Sequence, residues 1–155
     1  MKDSVKLAIS ILICFIAGLI GTIFTVPSIQ TRYVTLHRPN FTLPNYVFSP
    51  IWTLLYIMMG IAFFSVWKRI KPKESRFPLK FFIAHLFVNA LWPIVFFGLK
   101  SMIGGLIVVI ILWVMILAII VMFKKISSFA VIMLLPYLFW VSFAIALNFS
   151  FMMLN

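Results

Sequence analysis

Three stretches of this chain share one pattern, a tryptophan flanked at helical spacing by groups able to hydrogen-bond. Trp52, Tyr56, Met59 and Phe63 follow at intervals of four, three and four, which places them on one face of a helix. His85, Asn89, Trp92 and Phe96 repeat those intervals, and Tyr137, Trp140, Ala144 and Asn148 run at three, four and four. Each face offers ring surface for stacking and an amide or phenol to fix orientation, and Ala144 opens space beside Trp140. A flat, largely apolar ligand suits such faces, and acidic substituents on it would meet Arg32 or Arg38 in the segment before the first of them. Plainer roles compete at every position. The rings also serve as packing faces or an interfacial belt, Asn89 and His85 as interhelical hydrogen-bonding glue, and Ala144 as a point of close helix approach.

Much other chemistry is excluded. Asp3 and Glu74 are the only carboxylate side chains, and both lie in polar flanks. Paired-carboxylate catalysis, an Asp-supported triad, carboxylate metal cages and intramembrane proton relays through Asp or Glu therefore have no residues to work with. His37 and His85 have no chelating spacing, and the single cysteine, Cys14, sits in an apolar run. No metal site, disulfide framework or haem-attachment motif is expected.

The elements that must position these residues are membrane helices. Of 155 residues, 65% are hydrophobic and only 10% charged, against about 25% charged in soluble domains. A spanning helix needs about 20 mostly apolar residues. Five stretches qualify, 5–26, 46–67, 78–99, 102–123 and 128–153, with no strand alternation between them. The first run is long for a signal peptide and no small-x-small cleavage site follows it, so it reads as a retained helix. The chain is thus expected to be an all-α, five-helix integral membrane bundle forming a single domain over 1–155.

The net charge of +11 is distributed by side. Lys2, Lys6, Lys68, Arg69, Lys71, Lys73, Arg76, Lys80, Lys124 and Lys125 fall at one end of the helices, and Arg32, Arg38 and Lys100 at the other. The positive-inside rule then places the N-terminus in the cytoplasm and the C-terminus outside. The basic excess is topology and not a nucleic-acid footprint. The segment 27–45 is long for a bundle connection and carries Arg32, Tyr33, His37, Arg38 and Phe41, as a lid or a basic interfacial loop would. Pro50 is expected in the first turn of helix 2, and Pro93 should bend helix 3 and release the carbonyl of Asn89. Gly18-x-x-Gly21-Thr22 is a small-residue face for packing or dimerisation. Helix 4 reads as filler. No coupling carboxylate, ATPase motif or inverted repeat points to a pump.

Several of these segments resemble the TspO/MBR family, the translocator proteins, also called tryptophan-rich sensory proteins or peripheral-type benzodiazepine receptors. The resemblance is carried by Arg32-Tyr-Val-Thr-Leu-His-Arg-Pro-Asn-Phe41, by Pro44 to Gly60 with Pro50, Trp52 and Tyr56, and by Trp67. It continues through Asn89-x-x-Trp92-Pro93-x-x-Phe96-Phe97-Gly98 and Pro136-Tyr137-Leu-x-Trp140-x-x-Phe143-Ala144 to Leu147-Asn148.

That resemblance implies a five-helix bundle, commonly a homodimer, in a lipid bilayer, with a bacterial cell membrane fitting the short chain. It implies binding of tetrapyrroles such as protoporphyrin IX and of drug-like isoquinoline carboxamides between the helices, with no intrinsic cofactor. By position, Trp52, Asn89, Trp140, Ala144 and Leu147 would line the pocket, with Tyr33 and Pro44 from the loop. Tyr56, Trp92 and Phe96 join them on the shared faces described above. Light-dependent oxidative breakdown of porphyrin is the implied activity, with Trp52 and Trp140 as electron donors. Sensing, or facilitated transport without chemistry, is the alternative. The chain departs from the family's usual pattern at Arg32, Phe41 and Tyr46, where tryptophan is common, and at His85. Phe149 replaces the tyrosine of the animal cholesterol motif, and no basic residue follows Lys125.

Overall fold

The computed structural model describes residues 1–71 and 73–155. Its five long helices are α1 (Asp3–Gln30), α2 (Asn45–Trp67), α3 (Phe77–Pro93), α4 (Met102–Lys124) and α5 (Ser128–Leu154). All five spans are long and apolar enough to cross a membrane, counting α3 together with the turn that follows it, and the chain is an all-α integral membrane protein. There is no strand among the described residues. Going round the bundle the order is α1, α2, α5, α4, α3, and α3 closes back on α1.

Three local features differ from the sequence expectation, each for a backbone reason. Helix α1 runs through Pro27 to Gln30 instead of stopping at 26. The proline costs only the bond to the Ile23 carbonyl, so the connection is shortened to residues 31–44. Pro50 is the sixth residue of α2 and thus lies in its second turn, where it leaves the carbonyl of Tyr46 without a helical partner. At the third difference, α3 ends at Pro93 and continues as one π-helical turn, Ile94–Gly98. Pro93 has no N–H for the Asn89 carbonyl, and the chain widens just beyond it. The wider turn carries both Phe96 and Phe97 into the interior, where Phe96 is 4% and Phe97 9% exposed.

The turn into α4 passes through Lys100 at φ 57, a left-handed conformation that favours glycine. Ser101 then caps α4 by accepting the Gly104 N–H at 3.0 Å, and Ser127 caps α5 by accepting from Ala130 at 3.2 Å. At that same end, Arg69 of the α2–α3 connection also donates to the Ser127 hydroxyl.

The packed core divides into two parts. The larger fills the half of the bundle nearest the N-terminus, around Met59, Phe63, Phe82, Ile116, Phe123 and Leu134. The smaller lies under the first loop and consists of Tyr33, Phe96, Phe97, Leu147 and Phe151. In the first part α1 and α2 approach closely. A Cβ added to Gly60 would stand 2.6 Å from the Cα and 2.9 Å from the backbone nitrogen of Ile11. Backbone cannot swing aside as a side chain can. Gly60→Val should therefore force α1 and α2 apart and destabilise by about 1–3 kcal/mol. Thermal unfolding in detergent would show a lowered midpoint, whereas an unchanged midpoint would mean that the contact does not bear on stability.

Candidate functional site

Between the two parts of the core lies a cavity of about 350 Å³, within the range of small-molecule sites. Its walls come from α1, α2, the α3 end with its π-turn, and α5, and its roof from Tyr33. No α4 residue lines it among the described residues. Leu19, Thr22 and Val26 of α1 and Ser49 and Thr53 of α2 both line the cavity and are exposed. The cavity's mouth is therefore lateral, between the outer halves of α1 and α2. Lipid would face that mouth.

Aromatic rings dominate the interior. Trp52 stacks on Tyr56 at 5.5 Å between centroids and 27°. Trp52 meets Trp140 edge-on at 6.4 Å and 89°, and Phe48 and Phe143 also pack on Trp140. Across the cavity Trp92 stacks on Phe96 at 5.4 Å. Trp92 donates its indole N–H to Asn148 Oδ1 at 3.2 Å, and Trp113, on α4, donates to Ser142. Among the described residues, no protein acceptor takes the N–H of Trp52 or Trp140. Asn45 Oδ1, at the start of α2, is buried and likewise has no partner among them.

Behind the wall runs a chain of four hydrogen bonds. The Tyr56 hydroxyl donates to Asn89 Oδ1 at 3.0 Å, and Asn89 Nδ2 donates to the Tyr137 oxygen at 2.8 Å. Tyr137 and His85 Nε2 lie 3.0 Å apart, and His85 Nδ1 is 2.9 Å from the Phe82 carbonyl. A carbonyl only accepts, so the hydrogen must be on Nδ1 and Nε2 must accept from Tyr137. Every donor and acceptor then agrees in direction. Tyr56 and Asn89 line the cavity, whereas Tyr137 and His85 lie beneath it, fully buried.

The first loop folds over the top. Asn155 accepts the His37 N–H at 2.9 Å through Oδ1 and donates to the His37 carbonyl at 3.0 Å, which fastens the loop to the end of α5. Tyr33 packs against Phe97 and Phe151. The Arg38 guanidinium lies 4.7 Å from the centre of the Tyr33 ring and donates to the Tyr33 carbonyl at 3.3 Å. Burial raises the Tyr33 hydroxyl above the usual phenol pKa, and the Arg38 charge pulls in the opposite direction.

Of the residues singled out in the sequence, the structure gathers Tyr33, Trp52, Tyr56, Asn89, Trp92, Phe96, Trp140, Ala144 and Leu147 around one cavity. It leaves Pro44 outside, exposed at the N-cap of α2. Arg32 and Arg38 are not among the lining residues, and Arg38 lies over the ring of Tyr33 at the roof. The largest omission is α1. Gly18 and Gly21 face inward, against the Tyr56 ring and Pro93 respectively, so both glycines pack within the bundle. Their neighbours Phe15, Thr25 and Ile29 line the cavity. A helix apolar on all sides gives no periodic signal, and only the two glycines and Thr22 marked this face. Phe97 was missed because the π-turn breaks the spacing that selects Phe96. Among the described residues, no three His, Cys, Asp or Glu side chains gather to hold a metal ion.

A model of the TspO/MBR family matches residues 10–154. The chain belongs to that family. It is similar to the tryptophan-rich protein TspO of Archaeoglobus fulgidus, 42% identical over 97% of both chains. The tryptophan-rich protein TspO of Chlorobaculum tepidum is 37% identical over 99% of this chain and 98% of its own. Protein CrtK of Rhodobacter capsulatus is 36% identical over 96% and 91% respectively. These alignments cover all five helices and the loop, so the cavity's walls and roof all fall within the matched region.

The roof gives a test of its electrostatics. Removing the Arg38 charge should raise the Tyr33 pKa further, since that cation favours the phenolate. Ultraviolet titration of Arg38→Ala, differenced against an Arg38→Ala/Tyr33→Phe variant, should show Tyr33 ionising at higher pH than in the parent protein. An unchanged or lower value would mean that the cation does not favour the Tyr33 phenolate.

Proposed function

We propose that this protein binds tetrapyrroles, with protoporphyrin IX as the test ligand, in the cavity beneath the first loop, and promotes their light-dependent oxidative degradation. Isoquinoline carboxamides, flat and mostly apolar, would compete for the same space. The observation that carries the reading is the pair Trp52 and Trp140, perpendicular at 6.4 Å, both on the cavity wall. Their ring faces suit stacking on a flat macrocycle, and indole is among the most readily oxidised side chains. Both indole N–H groups and the second Asn89 N–H have no protein acceptor among the described residues and are left for ligand acceptors. The lateral mouth favours a ligand already dissolved in the bilayer. With the strongly basic end of the bundle on the cytoplasmic side, that mouth would open into the outer half of the membrane.

In this reading the porphyrin absorbs the light. The protein supplies a shaped cavity that excludes water and an electron from Trp52 or Trp140 to the excited ring. Dioxygen dissolved in the bilayer is the net oxidant that takes up that electron and supplies oxygen to the degraded product. No carboxylate, metal or nucleophile is required, in keeping with the residues present.

Titration of the purified protein with protoporphyrin IX in the dark should quench tryptophan fluorescence saturably. Illumination should then produce a new porphyrin absorption band that free porphyrin does not develop. Trp52→Phe combined with Trp140→Phe should keep most of the binding and lose the photoproduct. Ala144→Leu, which fills space beside Trp140, should weaken binding by about tenfold or more, or about 1.4 kcal/mol. Saturable binding with an unchanged spectrum under light would leave a binding or sensing protein, and no saturable quenching would refute the ligand assignment.

A further inference from the structure

Two tyrosines touch Trp52, and they differ in where their protons can go. Tyr56 stacks on the indole at 5.5 Å, and Tyr137 meets it edge-on at 6.4 Å and 66°. Tyr56 donates its hydrogen to Asn89 Oδ1, an amide oxygen that is a poor base. Tyr137 donates to His85 Nε2, 3.0 Å away, whose lone pair is kept free by the Nδ1–H bond to the Phe82 carbonyl. Asn89 Nδ2, 2.8 Å from the other side of the Tyr137 oxygen, holds the hydroxyl in that direction. Both Tyr137 and His85 are fully buried, 0% exposed, so water cannot substitute for the histidine as proton acceptor.

We propose that Tyr137 and His85 form a proton-coupled electron donor that refills an oxidised Trp52. The proposal rests on the light-driven reading of the cavity and gives the oxidising equivalent a place to go. A photoexcited tetrapyrrole, the oxidant, takes one electron from Trp52 and leaves an indole radical cation. Tyr137 passes one electron to that cation, and in the same step its O–H bond breaks and the proton goes to His85 Nε2. The products are neutral Trp52, a neutral tyrosyl radical and a His85 imidazolium. One positive charge has moved from Trp52 to His85, and none has been created.

Each product finds a hydrogen-bond partner without rearrangement. The imidazolium donates from Nε2 to the Tyr137 oxygen and from Nδ1 to the Phe82 carbonyl, while Asn89 still donates to the radical oxygen. Without the base, oxidised Tyr137 would be a buried cation still holding its proton, which an apolar interior strongly disfavours. Tyr56 faces that obstacle, since its only partner is an amide oxygen. Return of an electron to Tyr137 from the reduced tetrapyrrole draws the proton back from His85, so the pair resets.

Ultraviolet flash photoionisation of the full chain in lipid nanodiscs makes tryptophan radicals without any porphyrin, and so tests the pair independently of the ligand. Transient absorption should show the tryptophan radical decaying as a tyrosyl radical rises. Tyr137→Phe and Trp52→Phe should each remove most of that rise, and Tyr46→Phe, at an exposed tyrosine outside the cavity lining, should leave it. His85→Gln keeps an acceptor for the Tyr137 hydrogen but removes the base. The rise should slow by about tenfold or more, equivalent to about 1.4 kcal/mol on the barrier. A full tyrosyl yield in Tyr137→Phe, or an unchanged rate in His85→Gln, would overturn the proposal. Should His85→Gln not fold, the parent protein in heavy water decides the matter. A slower rise supports coupled proton transfer, and an unchanged rate refutes it. Repeating the experiment with protoporphyrin IX and visible light separates the two claims. A flash-induced tyrosyl without any porphyrin-induced tryptophan radical would refute the light-driven reading and leave the Tyr137–His85 pair standing.

Discussion

A bilayer offers no water to satisfy a polar group, so each one inside the bundle must find its partner in the protein. The hydrogen bonds from Tyr56 through Asn89, Tyr137 and His85 to the Phe82 carbonyl meet that demand in one consistent direction and leave the second Asn89 N–H for the cavity. They also tie α2, α3 and α5 together at one level. One end of the chain is the carbonyl of Phe82, which can only accept, and that fixes the direction of every bond above it. The cavity inherits the result. Asn89 presents its amide to the ligand space in one orientation, and Tyr56 is held where Trp52 can stack on it. Loss of a single member would leave a buried group unsatisfied, a penalty of about 1–3 kcal/mol. The network is a constraint on the shape of the site as much as a contribution to its stability.

The cavity itself depends on packing that stops short of the lid. Below the chain, Gly60 lets α1 and α2 touch backbone to backbone. Gly18 admits the Tyr56 ring and Gly21 admits Pro93, while toward the loop Thr22 and Val26 of α1 and Ser49 and Thr53 of α2 line the cavity and stay exposed. Large rings from α5 and the π-turn cannot close the space because they pack on one another and on Tyr33. The space is roofed by the loop, which Asn155 fastens to α5.

Much of this was legible in the residue order, and the exceptions have local causes. Hydropathy alone marks the five spans, since each must present about 20 apolar residues to lipid. The inward faces of α2, α3 and α5 were legible because a polar residue inside a membrane turns away from lipid. Asn89, His85 and Asn148 each mark a face, and Trp92 and Trp140 follow from it. Helix α1 carries no such marker on its cavity side. Thr22 and Thr25 satisfy their hydroxyls on the Gly18 and Gly21 carbonyls of their own helix, as hydroxyls readily do, and so they do not require an inward position. Phe97 fell outside a spacing argument because Pro93 changes the helical period just before it. Charge makes Arg32 and Arg38 candidate carboxylate contacts, whereas the placement of Arg38 over the Tyr33 ring is not readable from composition.

His85 is where structure and chemistry separate most sharply. A buried amide acceptor at that position would satisfy Tyr137 equally well, so hydrogen-bonding demand alone does not call for an imidazole. Imidazole adds basicity to the same geometry, and it does so at the one phenol that touches Trp52 without an amide oxygen as its acceptor. The nearer ring, Tyr56, is better placed for stacking but points its hydrogen at Asn89. Proximity to the indole and access to a base are thus divided between two tyrosines, and only Tyr137 has both. A site that merely bound a flat ligand would gain nothing from that division, whereas a site that removes electrons from Trp52 would gain a way to replace them.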